Sequence, residues 1–250
     1  MIYRFLVLGH LLGDFYFQSD EVVRRKKKEW NVLAKHCLIY CICVFACSVW
    51  FVPQADGAMY IIYLCAIFLL HALTDFCKGH FHPEGNSCLW FAADQAIHLL
   101  LLLGPAGRFA GNGTIELWGN IIDGNAYQSS AAVIICVLTC GKPASVLVKT
   151  VFQDIKNRGR ELGALNLRAQ ETDTQDRAGA VIGILEREII FVLGILNQFS
   201  AIGFVLAAKS LARFEQLKNQ GFAERYLIGT LLSALIAIIC AASYGLMAQM

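Results

Sequence analysis

The sequence predicts an all-α protein, a polytopic transmembrane helix bundle with about seven or eight spans. Hydrophobic residues make up 57% of the 250-residue chain and charged residues only 16%. The mean hydropathy of +0.54 is too high for a soluble surface. Apolar runs long enough to cross a hydrocarbon core of roughly 30 Å recur along the whole length. The lipid bilayer is therefore the expected partner, and we expect no nucleic acid.

Each expected span approaches the ~20 residues that a membrane-crossing helix needs. Gly141-Lys142-Pro143 interrupts the fifth span and predicts a kink or a re-entrant segment. The sixth and seventh meet around residues 194–198 almost without a polar loop, which indicates a tight helical hairpin or one bent helix. Gly179 and Gly183 form a GxxxG spacing, which permits close helix approach. The predicted spans are residues 2–19, 33–52, 58–78, 88–104, 128–150, 178–195, 197–213 and 226–248.

The distribution of basic residues predicts the orientation, because Lys and Arg accumulate in cytoplasmic loops. The basic run Arg24–Lys28 follows the first span, whereas residues 53–57 carry no positive charge. Residues 153–177 and 209–225 are basic again. This alternation places the amino terminus outside and the basic loops in the cytoplasm, with 153–177 as an exposed cytoplasmic loop.

We expect a single membrane domain, residues 1–250, with a four-helix half rich in His and Asp (1–104) and a helical half rich in Glu, Arg and Lys (128–250). Three spans of the first half each carry a His and an Asp four residues apart. Such residues lie on one helix face, so each pair can present two ligands to one point between helices. The pairs are His10 with Asp14, His71 with Asp75, and His98 with Asp94.

These ionisable residues indicate a metal site. Each costs at least ~2.5–3.5 kcal/mol in hydrocarbon, so it should face the bundle interior and mark a function. Imidazoles and carboxylates are natural ligands of Zn²⁺, and a divalent metal, with Zn²⁺ as the first choice, is the expected cofactor. Alternating helix directions place all six residues in the cytoplasmic half of the membrane. His36, alone beside Lys35, is expected at the interface or behind the ligands.

In the second half, charged residues also lie inside predicted spans. Glu186 and Arg187 are too deep to reach the interface easily, so we expect a function or a buried ion pair. Lys209 and Arg213 share one helix face and would anchor the helix end by snorkelling. Alternatively, they form a cytoplasmic pocket for an anionic head group together with Arg187 and Lys142. The candidates for contacts behind the metal ligands or to a head group are His36, Glu186, Arg187, Lys209 and Arg213.

These motifs resemble an uncharacterised bacterial family of integral membrane proteins, domain of unknown function 3307. The tail resembles longer members of the same group through Gly183-xx-Glu186-Arg187 and Ala208-Lys209-Ser210-xx-Arg213. The resemblance implies a multi-pass protein of the bacterial inner (plasma) membrane and supplies no mechanism. The motifs that carry it in the first half are His10-xxx-Asp14-Phe-xx-Gln18, His36, His71-xxx-Asp75-xx-Lys78 and Asp94-Gln95-xx-His98.

The first functional hypothesis is an intramembrane metal-dependent hydrolase that cleaves a lipid-like ester, amide or phosphoester near the cytoplasmic face. The metal would lower the pKa of a bound water to about 7 and polarise the scissile group. A spare carboxylate among Asp14, Asp75 and Asp94 would act as general base, and Gln18 and Lys78 would orient or stabilise the developing oxyanion. The logic of the site is similar to that of membrane-embedded hydrolases such as alkaline ceramidases, which hold Zn²⁺ with His and Asp between helices.

Two alternatives use the same residues. A cation or proton transporter or channel would employ the His and Asp side chains as a relay, although the apolar outer halves of spans two to four disfavour a pathway. A non-catalytic scaffold or sensor would hold a structural metal. The sequence leaves the substrate, the number of ions and the oligomeric state open.

Overall fold

The computed structural model describes residues 2–52, 56–81, 87–109, 114–117, 120–123, 125–161 and 173–248. Helices dominate these residues, which confirms the predicted all-α class. The chain forms two compact units, Met1–Ile135 and Cys136–Met250. The division of function between residues 1–104 and 128–250 stays a prediction.

The described residues of the first unit are mostly helical, and the unit contains every His and Asp of the predicted metal site. Two 3-10 turns, Val49–Phe51 and Pro105–Phe109, follow its third and fifth helices. The helical elements are α1 (Ile2–Leu11), a π-helical turn (Leu12–Tyr16), α2 (Asp20–Arg25), α3 (Trp30–Ser48), α4 (Gly57–Phe81) and α5 (Ser87–Leu103).

A short antiparallel hairpin follows these helices. Strand β1 (Thr114–Leu117) pairs with β2 (Asn120–Asp123), with Thr114 opposite Asp123. The sequence analysis did not anticipate it. Strands of four residues are too short for their side-chain alternation to stand out from a loop.

Two glycines bring α1 against α3. A Cβ atom added at Gly9 would lie 2.7 Å from Val44 Cα, and one added at Gly13 would lie 2.9 Å from Tyr40 Cα. Only a residue without a side chain permits such an approach. The Gly9-xxx-Gly13 spacing therefore sets the α1–α3 interface and with it the position of the residues that follow on α1.

The packed core of the first unit lies to one side of the His and Asp residues. On α1 the core residues precede His10, on α3 they follow His36, and on α5 they follow His98. Because neighbouring helices run in opposite directions, these positions fall at the same end of the bundle. The core residues are Ile2, Leu6, Tyr40, Val44, Tyr60, Tyr63, Ile67, Leu102, Ala106 and Phe109.

The second unit is also helical, and α6 leads into it. Its predicted GxxxG contact is not formed: nothing lies within 4 Å of a Cβ added at Gly179, and one added at Gly183 would meet only Arg187 of its own helix. A close approach occurs instead at Gly194, where an added Cβ would lie 2.7 Å from Ala241 Cβ. The helices are α6 (Asn125–Cys140), α7 (Lys142–Glu161), α8 (Asp173–Ile195), α9 (Phe199–Ala212), α10 (Phe214–Leu217) and α11 (Gln220–Ala248).

Both predicted interruptions in this part of the chain are present. The helix breaks between Cys140 and Lys142, because Pro143 has no N–H to continue the ladder. α8 ends at Ile195; Asn197, two residues later, has a left-handed φ of 57°, and the Gln198 amide donates to the Leu193 carbonyl over 2.8 Å. This is the helix stop that a left-handed residue produces. Two separate helices joined by a tight turn therefore replace the alternative of one bent helix.

Five helical segments of the described residues are long and apolar enough to cross a membrane. Leu38, Leu69 and Leu100 on three of them are more than half exposed, as expected for lipid-facing positions. The predicted spans 2–19, 178–195 and 197–213 coincide with shorter or more charged helices, which explains the higher predicted number. The five segments are Trp30–Phe51, Gly57–Gly79, Ser87–Phe109, Ser129–Arg158 and Gln220–Met247.

The segment 153–177 is not one continuous loop. α7 extends to Glu161 and α8 begins at Asp173, so both ends of the segment are helical. The interpretation as a loop was wrong there because polar residues can extend a helix beyond the membrane as readily as they can end it. Residues 162–172 lie outside the described residues.

Candidate metal centre

Side chains from four elements of the first unit converge at one buried place. The π-helical turn supplies Asp14, α3 supplies His36, α4 supplies His71 and Asp75, and α5 supplies Asp94 and His98. Each of these residues is at most 7% exposed. The predicted convergence of ionisable groups from separate helices is therefore present in the structure.

The tightest grouping consists of His36, His71 and Asp75. The Nε2 atoms of the two imidazoles lie 3.2 Å apart, and Asp75 Oδ2 lies 3.3 Å from His36 Nε2 and 3.7 Å from His71 Nε2. A tetrahedral Zn²⁺ with Zn–N bonds of roughly 2.0–2.1 Å has ligand–ligand distances of about 3.3 Å. The three atoms therefore have the spacing of one face of a tetrahedral site.

Asp14 adds a fourth atom, and a second oxygen, to this grouping. Its Oδ1 atom lies 3.5 Å from His36 Nε2, and ligand atoms of Asp14, His36 and His71 all lie within 4.8 Å of one another. The π-helical turn explains its position, because the wider turn rotates Asp14 away from the α-helical alignment with His10. Asp14 therefore faces α3.

The electrostatics of His36 favour a cation at this position. Three acceptor atoms, from Asp14, Asp75 and His71, lie within 3.5 Å of its Nε2 atom. A single N–H can satisfy only one of them well, and buried carboxylates without compensation are costly. A divalent ion would compensate all of them at once.

A second grouping shares Asp75. Ligand atoms of Asp75, Asp94 and His98 lie within 4.8 Å of one another, and Cys37 joins His71 and Asp75 in another such group. His98 Nδ1 lies 3.7 Å from Asp94 Oδ1. The geometry therefore provides one group of possible ligands around His36 and His71. Asp94 and His98, together with Asp75, form a second group that could hold another ion.

Three buried ring nitrogens have no hydrogen-bond partner among the described residues. They are the Nδ1 atoms of His36, His71 and His98. A small cavity adjoins two of these rings, which lie 4.4 Å apart between centroids. Unpartnered buried polar atoms are rare in proteins and call for an explanation such as an ion or ordered water.

His10, a predicted ligand, lies beside the centre and not in it. Gln95 Oε1 accepts from His10 Nε2 over 3.0 Å, and the Tyr40 hydroxyl lies 3.2 Å from His10 Nδ1. Both ring nitrogens are thus engaged, and His10 joins none of the metal-capable groups within the described residues. The Gln95 amide nitrogen also donates to Asp14 and Asp94, over 3.0 and 3.2 Å. His10 therefore orients Gln95, which in turn orients two carboxylates.

His36, which the sequence analysis placed at the interface or behind the ligands, lies at the middle of the centre and is 2% exposed. α3 begins at Trp30, three residues before the predicted span, so His36 lies about two turns inside the helix. The misplacement arose because the neighbouring Lys35 made this part of the chain resemble a membrane interface.

Two lysines neutralise the carboxylates. Lys78 Nζ donates to Asp94 Oδ2 and Lys26 Nζ donates to Asp75 Oδ2, each over 2.6 Å. Lys26 also donates to Gln18 Oε1 over 2.9 Å. Gln18 and Lys78 are predicted site residues, whereas Lys26 is predicted only as part of a basic run. The sequence of a basic run does not reveal which of its side chains faces the interior.

In the second unit, Arg187 is 2% exposed and binds the end of α6. Its Nε atom donates to the Cys140 carbonyl, and Nη2 donates to the Gly141 carbonyl over 3.2 Å. Its other donors reach the hydroxyls of Ser145 (2.6 Å) and Ser233 (3.3 Å). The guanidinium therefore binds the Cys140 carbonyl at the helix break and adds a donor to the Gly141 carbonyl, which also accepts from the Ser145 amide. These contacts argue against a role in an open head-group pocket.

Glu186 forms an ion pair with Lys209, and the pair is half-buried and not fully buried as predicted. The Nζ atom of Lys209 donates to Glu186 Oε2 over 2.5 Å and to Thr230 Oγ1 over 3.1 Å. Lys209 is thus turned toward α8 and α11, and not simply extended to the interface. Arg213 lies half-buried at the end of α9, where a head-group contact stays a prediction.

Comparison with known proteins adds one finding. No curated protein and no solved structure matches the chain. Residues 2–107 match the family described as "Protein of unknown function (DUF3307)". All of the residues of the candidate metal centre lie in this segment. Residues 2–107 are thus similar to the DUF3307 family, which is the resemblance that the His and Asp motifs of this segment indicated.

Proposed function

We propose that the protein is an intramembrane metal-dependent hydrolase that acts on an amphiphilic, lipid-like ester, amide or phosphoester. The observation that carries the proposal is the triangle of His36 Nε2, His71 Nε2 and Asp75 Oδ2, with sides of 3.2, 3.3 and 3.7 Å. These distances suit one tetrahedral ion. The fourth tetrahedral position is left for water, as in catalytic zinc sites, and Asp14 lies beside the triangle with its Oδ1 atom 3.5 Å from His36 Nε2. Zn²⁺ is the favoured metal because two imidazoles and one carboxylate form a donor set of catalytic zinc sites.

When bound, the metal would increase the acidity of water and polarise the scissile group. Asp94 is the general base, because it is buried but is not needed for the triangle. Lys78 and Gln95 both donate to its Oδ2 atom, over 2.6 and 3.2 Å, and so orient the carboxylate. Lys78, whose side chain is 31% exposed, is the group that can turn toward a developing oxyanion.

The surroundings of the site favour an amphiphilic substrate. Trp30, 66% exposed, stacks on Phe76 with ring centroids 4.8 Å apart, and Phe17 is 61% exposed. All three rings are close in sequence to residues of the centre. Aromatic residues at such positions lie at the level of lipid head groups. A substrate with acyl chains in the membrane could therefore reach the centre from the lipid.

The packing favours hydrolysis over transport. The apolar and aromatic core of the first unit fills the bundle on one side of the centre. Its buried hydroxyls are occupied locally, since Ser48 pairs with Tyr60 over 2.6 Å and Tyr63 donates to the Leu102 carbonyl over 2.5 Å. Apolar packing thus closes one side of the polar centre. A polar centre closed on one side suits an enzyme better than a pathway through the membrane.

The test uses the full-length protein in detergent. We expect a co-purifying divalent metal, measured by mass spectrometry, and hydrolysis of at least one lipid class that chelation abolishes. The double substitution His36→Ala and His71→Ala should remove the metal, whereas Asp94→Asn should retain it and lose turnover. Cys41→Ala, which removes a thiol that donates to the Leu64 carbonyl and packs against the apolar core, is the control.

Two results would contradict the proposal. One is a protein that binds no divalent metal. The other is turnover by Asp94→Asn at the rate of the unsubstituted protein. Metal-dependent cation uptake into proteoliposomes, without hydrolysis of any lipid, would instead support the transporter alternative.

A further inference from the structure

Lys26 differs from its neighbours in the basic run Arg24–Lys28. Its side chain is only 11% exposed, whereas the structure leaves Lys27 and Lys28 exposed. Burying an ammonium group is costly unless it is paired. The pairing of Lys26 is therefore the feature that needs an explanation.

The Lys26 ammonium contacts the same atom that completes the metal triangle. Its Nζ atom lies 2.6 Å from Asp75 Oδ2, and that oxygen is the one within 3.7 Å of both imidazole Nε2 atoms. Gln18 Oε1 holds the ammonium from the other side at 2.9 Å. A metal ion that takes Asp75 Oδ2 as a ligand must compete with this cation.

The lysine also ties a peripheral helix to the centre. α2 (Asp20–Arg25) buries none of its own residues. Arg25 pairs with Glu21 and Glu29 of its own segment, over 3.3 and 2.9 Å. Lys26, directly after α2, therefore provides the buried polar anchor of this segment.

We propose that the Lys26 ammonium pairs with Asp75 when no metal is bound and is displaced when a divalent ion binds. The displacement of Lys26 then loosens α2. This inference rests on the proposed metal centre. Before metal binds, the ammonium compensates the buried carboxylate. After it binds, the metal supplies that compensation, and Lys26 with α2 moves toward water.

The test compares Lys26→Gln with Lys28→Gln in the full-length protein in detergent, with Zn²⁺ as the probe. Lys26→Gln removes the competing charge and keeps a polar side chain of similar length. We expect it to bind Zn²⁺ at least tenfold more tightly than the unsubstituted protein, measured by competition with a chromophoric chelator. Lys28→Gln removes an exposed charge from the same run and should change the affinity less than twofold.

Hydrogen exchange of the amides in residues 20–28 is the second measurement. Zn²⁺ should accelerate this exchange in the unsubstituted protein, and Lys26→Gln should show the faster exchange without metal. Zn²⁺ affinity that is unchanged or weaker in Lys26→Gln would overturn the role of Lys26 and leave the metal centre standing. The absence of Zn²⁺ binding in all three proteins would overturn both.

Discussion

At the scale of single residues, the Oδ2 atom of Asp75 is shared by His36, His71 and Lys26, all within 3.7 Å. A carboxylate in this position orients two imidazoles and balances the charge of a buried ammonium. Loss of the carboxylate therefore affects both the imidazoles and the ammonium. The neighbouring carboxylate Asp94 is paired with Lys78 on the exposed side of the centre and can be lost with less effect on the ligands.

The substitution Asp75→Asn should therefore weaken Zn²⁺ binding by more than about 100-fold, beyond the 10–100-fold typical of residues that only orient a ligand. The amide cannot supply the charge that the ion and Lys26 both require. Equilibrium dialysis with metal analysis measures the effect. Asp94→Asn serves as the matched control and should cost less than tenfold. Equal losses for the two variants would show that the ion is not centred on Asp75.

The substitution His10→Ala should have an intermediate effect, a 10–100-fold loss of Zn²⁺ affinity. It removes the hydrogen bond that fixes Gln95 and, through it, Asp14 and Asp94. His36→Ala, which removes a ligand, should lose more. If His10→Ala abolished binding as completely as His36→Ala, the assignment of His10 as an orienting residue would be wrong.

The residue types of the centre could be predicted from the sequence, but not the role of each residue. The recurrence of His and Asp at four-residue spacing indicated which helices converge. The spacing rule fails for His10 and Asp14 because the π-helical turn Leu12–Tyr16 changes the angle between them. His36 and Lys26 were missed as parts of the centre, because no local pattern distinguishes an inward-facing side chain beside a basic residue from an interfacial one.

At the scale of secondary-structure elements, the α1–α3 contact decides whether the centre forms. Asp14 reaches His36 only if Gly9 and Gly13 let the two backbones touch. The sequence contains the Gly9-xxx-Gly13 spacing as plainly as it contains Gly179-xxx-Gly183. Only the structure shows which of the two faces another helix.

Gly9→Ala should destabilise the first unit by about 1–3 kcal/mol, as overpacking typically does. The added methyl group would lie 2.7 Å from Val44 Cα and 2.9 Å from the Cys43 carbonyl oxygen. These are backbone atoms, which cannot relieve the clash by a change of rotamer. Thermal unfolding in detergent, followed by circular dichroism, measures the change. Gly57→Ala is the control, since an added Cβ there has no heavy atom within 4 Å. Comparable losses in both variants would rule out a special role for the α1–α3 contact.

At the scale of the whole molecule, each unit has its own buried polar network. In the first unit the network consists of carboxylates, imidazoles and two lysines, with orphaned ring nitrogens. In the second unit, Arg187 binds carbonyl and hydroxyl oxygens at the helix break, and Glu186 pairs with Lys209. The all-α membrane class followed from composition and apolar run length. The assignment of chemistry to the first unit and of structural support to the second required the side-chain contacts.

This assignment predicts that Arg187→Leu destabilises the protein without changing the metal centre. The substitution leaves the Cys140 carbonyl without the guanidinium, at a cost of about 1–3 kcal/mol for an unsatisfied buried group. Thermal unfolding should show the loss, whereas Zn²⁺ affinity should stay within twofold, because the guanidinium hydrogen bonds that the substitution removes are made to residues of the second unit. Lys218→Gln, an exposed change in a pair within one helical turn, should alter stability by less than about 0.5 kcal/mol. A large fall in Zn²⁺ affinity in a folded Arg187→Leu protein would mean that the ligand set extends beyond the first unit.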